Sequence, residues 1–282
     1  AAVPQSPSAG MAPPALDFLN IHSDKDKDYL VQTEGAEWSA ASQAGGVHRR
    51  MIQRLGGEVA RATTVVRFDP NQSFPRHTHG GGEEFMVLDG HWHDEYGSFG
   101  KYTYIRNYIG SGHQPSVQED GVRILVRLRQ MAKEHEEPEH KAWDASPGSE
   151  GWEEVEASEV FESGRSAPAD EAGPDAKRRR LDAPENIAAI RKKRLHASPL
   201  EEVLALQVSR RDAGAPASLT LEVPPKGLDI FVVDGAMVSR LGLHSTESWA
   251  QFVAGQSVRF DLKDDVYLLV KHGHLESREV GV

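Results

Sequence analysis

The chain reads as an all-β protein made of two antiparallel units in tandem, and three observations predict it. Short apolar runs recur at the interval of a strand plus a turn, and a length of 282 residues suits two domains of ordinary size. A string in the first half, GGEEFMVLDG, is also echoed in the second as KGLDIFVVDG, with the final glycines in register, which points to an internal duplication.

From about Leu16 to Met131 the strand-like runs are VARATTVVRF, EEFMVLDG, KYTYIRNYIG and VRILVRLRQM. Between them lie DPNQSFPR, HTHGGG and EYGSFGK, rich in turn formers. Short strands at regular spacing, with no clear amphipathic helix, predict an antiparallel sandwich or small barrel over 16–132, behind a flexible N-terminal segment at 1–15. Between Glu134 and Glu162, eleven Asp or Glu stand against one Lys, and Pro, Gly and Ser are frequent thereafter. Residues 133–186 are accordingly read as an acidic, partly disordered linker. Mobility is expected over 164–186, while GWEEVEASEVF is a candidate stray strand. Strands resume with LEEVLALQVSRR, ASLTLEV, GLDIFVVDGAMVSR and SVRFDLKDDVYLLVKHG, so 187–282 is read as a second β unit.

Composition excludes several function classes. The absence of cysteine removes disulfides, thiolate zinc sites, Fe–S clusters and cysteine nucleophiles, so histidine and carboxylate must carry any metal. A net charge of −11 argues against general nucleic-acid binding, which needs a basic surface. No window approaches the roughly 18–20 unbroken apolar residues of a membrane-spanning helix, so no membrane partner is expected. A soluble intracellular protein of the cytoplasm is therefore expected, with two alternatives. The opening AAVPQSPSAGMAPP, without an apolar secretory core, reads as an expression scar or the remnant of a cleaved organellar leader. KRRR (177–180) and RKKR (191–194) have the spacing of a bipartite nuclear import signal, against the plainer reading of charge balance within an acidic linker.

His77 and His79 stand two apart at a strand end, so both project from one face. Gly80, Gly81 and Gly82 allow a tight turn before Glu83 opens the next strand. His113, 34 residues beyond His79, can return beside them in a closed antiparallel barrel. Three imidazoles and a carboxylate suit one divalent ion of borderline character, Fe(II) or Zn first, with Mn or Ni as alternatives. The competing reading is a hydrogen-bonded polar cluster at a barrel mouth.

The string HTHGGGEEFMVLDG fits the first cupin motif, HxHx3Ex6G, through His77, His79, Glu83 and Gly90. The wider stretch from Phe74 to Ser116 resembles the ChrR-type cupins, which include the metal-binding domain of an anti-sigma factor and dioxygenases that cleave diketones or hydroxyketones. The resemblance covers roughly residues 38–131 and implies a jelly-roll β-barrel, with metal held by His77, His79, Glu83 and His113. The chain as a whole is then expected to be a bicupin. Three positions depart from the pattern: Asn71 replaces the opening glycine, Tyr108 and Ile109 stand where a proline is expected before Gly110, and Val117 replaces the closing asparagine. Tyr108 is expected to reshape the pocket.

Around this core, His91 and His93 form a second HxH, read as solvent-facing rather than as an extension of the site. Tyr102, Tyr104 and Arg106 alternate on one strand, and Tyr104 and Arg106 are the candidate catalytic residues that would orient an oxygen-rich substrate. Their alternative is core aromatics beside a surface arginine paired to Asp94 or Glu95. In the second unit Leu228 overlies Glu83 and the paired histidines have no histidine counterpart, so that unit is expected to bind no metal and to serve as packing partner, lid or dimer surface.

Three functions follow. The first is an oxidoreductase, a non-haem Fe(II)-type dioxygenase acting on a small diketone- or hydroxyketone-like substrate, with Phe85, Val87 and Tyr104 as a dry wall. The second is a non-catalytic metal-binding sensor, which the anti-sigma resemblance implies but which lacks the Cys/His zinc segment. The third is a two-barrel scaffold in which the metal is structural; apart from these three, a homodimer is kept open as the chain's assembly.

Overall fold

The computed structural model describes residues 19–40, 45–57, 59–131, 139–161 and 183–273. The first half supplies β1 (Leu19–Ile21), β2 (Tyr29–Gln32), β3 (Ser39–Ala40), β4 (Val47–Gly56), β5 (Arg61–Phe68), β6 (His77–Thr78), β7 (Glu83–Asp94), β8 (Gly97–Phe99), β9 (Thr103–Asn107), β10 (Gly112–His113), β11 (Ser116–Leu128) and β12 (His140–Asp144). The second supplies β13 (Glu153–Glu154), β14 (Ile187–Ala197), β15 (Glu202–Arg210), β16 (Ala217–Glu222), β17 (Leu228–Asp234), β18 (Met237–Ser239), β19 (Gly242–His244), β20 (Ser248–Phe252), β21 (Ser257–Leu262) and β22 (Val266–His272). One 3-10 turn, Ala157–Glu159, is the only helical element among the described residues.

All pairings between these strands are antiparallel, and the two large sheets repeat one plan. The first runs β1-β4-β5-β11-β7-β9-β12 and the second β13-β14-β15-β22-β17-β20-β2. Each barrel is completed by a smaller sheet, β10-β6 in the first and β16-β21-β18-β19 in the second. The five inner strands correspond one to one, which is the structural content of the echo between 81–90 and 226–235. Gly90 and Gly235 show why that glycine recurs. Both have positive φ (72° and 87°), and a Cβ on either would sit 2.1 Å from a carbonyl oxygen, that of Gly121 or of Asp265.

The long strands are apolar on both faces because each barrel buries one face inward and the other against its neighbour. Phe85, Val87, Ile105, Ile124 and Val126 fill the first barrel, while Leu228, Ile230, Phe252, Phe260 and Leu268 fill the second. Between the barrels lies a third core, in which Ile52, Met86, Leu125 and Tyr104 meet Val203, Phe231, Trp249 and Leu269. Buried charges at this junction cross over in a quasi-twofold pattern. Arg127 of the first barrel pairs with Asp229 of the second at 2.8 Å, and Lys271 of the second pairs with Glu84 of the first at 2.5 Å. Glu84 and Asp229 occupy the same place in the overlaid strings, and each faces a cation from the other barrel. The second barrel is thus the packing partner of the first.

Segments assigned from charge alone behave differently in the fold. The acidic stretch 133–186 carries β12, which closes the first large sheet beside β9, and β13, which edges the second beside β14. Edge strands bury little, so their sequences can stay acidic while Trp143 and Trp152 cover the inter-barrel core. β2, placed by sequence in the first unit, pairs with β20 of the second. RKKR lies within β14, where Lys192 is buried and donates to the Glu159 carbonyl at 2.7 Å, and Arg194 meets Glu202 at 3.2 Å. An import receptor needs such side chains free, and these are engaged. KRRR, the N-terminal segment 1–15 and most of the expected mobile segment lie outside the described residues. No helix of the described residues is long and apolar enough to cross a membrane.

Candidate metal centre

β6 and β10 pair antiparallel with His77 opposite His113, and this short ladder brings together histidines that are far apart in sequence. His79 is fixed one residue past β6, its N–H donating to the Ser111 carbonyl at 2.8 Å. Its own carbonyl accepts from Gly110 at 2.8 Å and from Gly82 at 3.2 Å. Gly82 then turns the chain at φ 75°, with the Met131 sulfur 2.6 Å from where a Cβ would sit, and Glu83 opens β7 pointing back at the imidazoles.

The ligand atoms of His77, His79 and His113 all lie within 4.8 Å of one another. Glu83 Oε2 stands 3.6 Å from His79 Nε2 and 3.7 Å from His113 Nε2. His77 sits exposed at the mouth, whereas His79 and His113 are buried. Two donor atoms that each lie about 2.1 Å from a common ion are separated by roughly 3–4 Å, so this cluster is close to ligating dimensions.

The second nitrogens fix the tautomers. His77 Nδ1 is 3.0 Å from the Pro75 carbonyl oxygen, which only accepts, so Nδ1 carries the proton and Nε2 is free to ligate. His113 Nδ1 donates to Asp94 Oδ2 at 3.2 Å, the carboxylate support common behind metal-binding imidazoles. Burial works to raise the Asp94 pKa, but hydrogen bonds from His113, Trp92 and the Tyr96 N–H outweigh it and hold the carboxyl below its usual range. Burial also lowers the His79 pKa; Glu83 opposes this and the His113 and His77 rings reinforce it, which favours the neutral imidazole a metal requires. The buried Nε2 atoms of His79 and His113 have no hydrogen-bond partner among the described residues. Two buried ring nitrogens left without hydrogen bonds beside one carboxylate cost free energy unless something binds between them, and a divalent cation fits this donor set.

The cluster opens into a cavity of about 540 Å³ within the first barrel. Val47, Val66, Phe68, Trp92, Ile124 and Leu128 supply apolar wall, and Arg49, Arg54 and Thr64 add polar groups. The second barrel has no such centre among the described residues, because apolar side chains, Leu228 in place of Glu83 among them, fill its interior.

Tyr104 and Arg106 require correction as cavity residues. Register places Glu83 opposite Asn107 and Glu84 opposite Arg106, and paired residues share a face. Arg106 and Tyr104 therefore lie on the inter-barrel side with Glu84, which accepts from Tyr104 Oη at 2.6 Å and from Arg106 Nη1 at 2.9 Å. Both side chains are fully buried there, and Tyr104 forms no part of the cavity wall. Phe85 and Val87 do face the first barrel's interior.

The inward polar residue at the end of β9 is Asn107, which donates to Glu83 Oε2 at 3.1 Å and accepts from His140 Nδ1 at 2.9 Å. Asn107, Asp94 and His140 are supporting residues; strand periodicity points to Asn107 only with the β7–β9 register in hand and to His140 only with that of β12 against β9. Tyr108 does not line the cavity either; Arg106 sits 5.3 Å above its ring. Asn71 replaces a glycine at φ 56°, a conformation asparagine tolerates. His91 is exposed and pairs with Asp120 at 2.6 Å, away from the cluster.

Comparison with known proteins agrees with this geometry. Residues 26–132 match the family described as ChrR Cupin-like domain. No curated protein matches the sequence. Among solved structures, the bacterial pirin YhhW of Escherichia coli in complex with nickel(II) aligns at TM-score 0.55 and 12% identity, covering 87% of this chain and 98% of that one. YlbA of Escherichia coli aligns at 0.57 and 12% identity, covering 96% and 98%. A Nostoc punctiforme protein provisionally described as a dioxygenase aligns at 0.55 and 13%, covering 95% and 86%. At these identities the likeness is one of fold, and it extends across both barrels. Residues 26–132 are thus similar to the ChrR Cupin-like domain, and the fold of both barrels is that of the cupins.

Proposed function

We propose that the first barrel holds one divalent metal ion on His77, His79, Glu83 and His113 and acts as an oxidoreductase of dioxygenase type on a small diketone- or hydroxyketone-like substrate. The observation that carries this reading is the pair of buried Nε2 atoms on His79 and His113, which have no hydrogen-bond partner among the described residues and converge on Glu83 at the wall of a largely apolar cavity. A bound ion supplies Lewis acidity there and, as Fe(II), one-electron chemistry toward dioxygen. The protein's part is to place and shield. Asp94 holds the His113 ring in its ligating tautomer, and Asn107 fixes the Glu83 carboxylate by donating to Oε2. Val66, Phe68, Trp92 and Ile124 keep the substrate side apolar, which excludes water from a reactive centre. Fe(II) and Zn are the leading ions for this donor set, with Mn and Ni next.

The deciding experiment is oxygen consumption by iron-loaded protein with acetylacetone, beside the same protein loaded with zinc. Uptake by the iron form alone supports the oxidoreductase. Tight metal binding with no uptake by either form contradicts it and favours a metal-binding sensor or scaffold.

A further inference from the structure

The metal-bearing cavity is lined by two arginines as well as by the histidines, and both come from β4. Its residues 47, 49 and 51 face inward by strand alternation, which by itself would turn position 54 outward toward the second barrel. The register with β5 slips between Met51 and Gln53, so Ile52 is an extra residue in the strand. That bulge sends Gln53 to the second barrel, where it meets Gln251 at 3.3 Å, and returns Arg54 to the cavity.

Neither arginine is neutralised among the described residues. Arg49 stands at the exposed rim and has no ion pair there, unlike its neighbour Arg50, which meets Glu247 at 3.8 Å. Arg54 is only 9% exposed, donates one Nη2 bond to the Gly57 carbonyl, and keeps a buried Nε–H with no partner. Among the described residues Glu83 is the one carboxylate in the cavity wall, and it already faces the imidazoles. A buried cation without a counter-charge is costly, and a divalent ion on Glu83 would add to the positive excess. A fixed site of this charge is complementary to an anion that brings planar oxygen acceptors to the guanidinium forks.

We infer that the substrate of this site is an organic acid, its carboxylate held by Arg54 and Arg49 while its ketone or enol oxygens face the metal ligands. The inference rests on the metal-site reading above and narrows it from neutral diketones to keto acids. It assigns Arg49 and Arg54 a binding role in a chain whose acidic surface otherwise repels anions.

Acetopyruvate and acetylacetone share the same diketone and differ by one carboxylate, so calorimetric titration of both into zinc-loaded and metal-free protein isolates the arginine contribution. Acetopyruvate is expected to bind zinc-loaded protein at least about tenfold more tightly than acetylacetone, the scale of one charge-assisted bidentate contact. It is also expected to retain measurable binding without metal, where acetylacetone has none. Arg49→Gln, at the rim, and Arg54→Gln should each reduce that preference several-fold with zinc content unchanged. Arg54→Lys, which keeps the charge, serves if the glutamine variant is unstable and should lose less. Equal affinity for the two probes, undisturbed in the variants while zinc remains bound, overturns the carboxylate assignment and leaves the metal site standing. Loss of zinc binding in the wild-type protein overturns both. Inorganic phosphate competing as tightly as acetopyruvate for the metal-free protein would replace the carboxylate by a phosphate. Absence of acetopyruvate binding at millimolar concentration also refutes the proposal.

Discussion

Glu84→Gln is the sharpest test of how the two barrels are joined. Glu84 is 1% exposed and accepts from Tyr104 Oη at 2.6 Å, Arg106 Nη1 at 2.9 Å and Lys271 Nζ at 2.5 Å. Glu201 is the second acceptor, taking Arg106 Nη2 at 2.6 Å and Lys271 Nζ at 2.9 Å, so two anions balance two cations in a space that water does not enter. The glutamine keeps the shape and removes one charge, leaving a buried cation uncompensated, a change that costs about 3–5 kcal/mol. A second route gives the same scale. Burial alone would raise the Glu84 pKa, but Lys271, Arg106 and Arg127 overcome it and bring it from 4.5 down to about 2, a depression worth roughly 3 kcal/mol.

Because the folded-state pKa lies below the unfolded one, the stabilisation is complete above pH 4.5 and is lost as pH falls toward 2. Denaturant unfolding of wild type and variant should therefore differ by about 3 kcal/mol at pH 7, with the gap closing steadily below pH 4.5. A difference under about 1 kcal/mol, or one unchanged between pH 7 and pH 3, would refute this account of the junction.

Two further substitutions separate the metal centre from that junction. Asp94→Asn keeps all four ligands but weakens the support behind His113, so metal affinity should fall about 10–100-fold, read by competition with a chelator. Tyr104→Phe should leave metal affinity at the wild-type value and lower stability by about 1.5–3 kcal/mol through the lost bond to Glu84; a variant that folds normally but loses substrate binding would return Tyr104 to the site.

Much of this architecture was legible in the residues. The strand runs, the duplicated string and its glycine all follow from local patterning, and the two glycines recur for one steric reason at Gly121 and Asp265. The HxHx3Ex6G spacing picks out His77, His79 and Glu83 because the three are neighbours in sequence; His113 needs the β6–β10 pairing to join them.

What stayed hidden was register. Alternation alone shows that Tyr104 and Arg106 share a face, but not whether it is the face of Glu83 or of Glu84, and the pairing of β7 with β9 decides it. The same pairing reveals Asn107. The slip in β4 that turns Arg54 inward leaves no mark on composition. β12 was lost to charge counting, since an edge strand needs few apolar residues, although Trp143 is unusual in a true linker, whereas β13 falls inside GWEEVEASEVF, the stretch read as a stray strand.

On this reading three imidazoles and one carboxylate form a single metal site in the first barrel. Metal content per chain, measured after reconstitution and extensive dialysis in wild type and in His113→Ala, tests it most directly. One equivalent in the wild type and a small residue in the variant, with both folded, is the expected result. A variant that retains the full equivalent, or a wild type that takes up none, would contradict it.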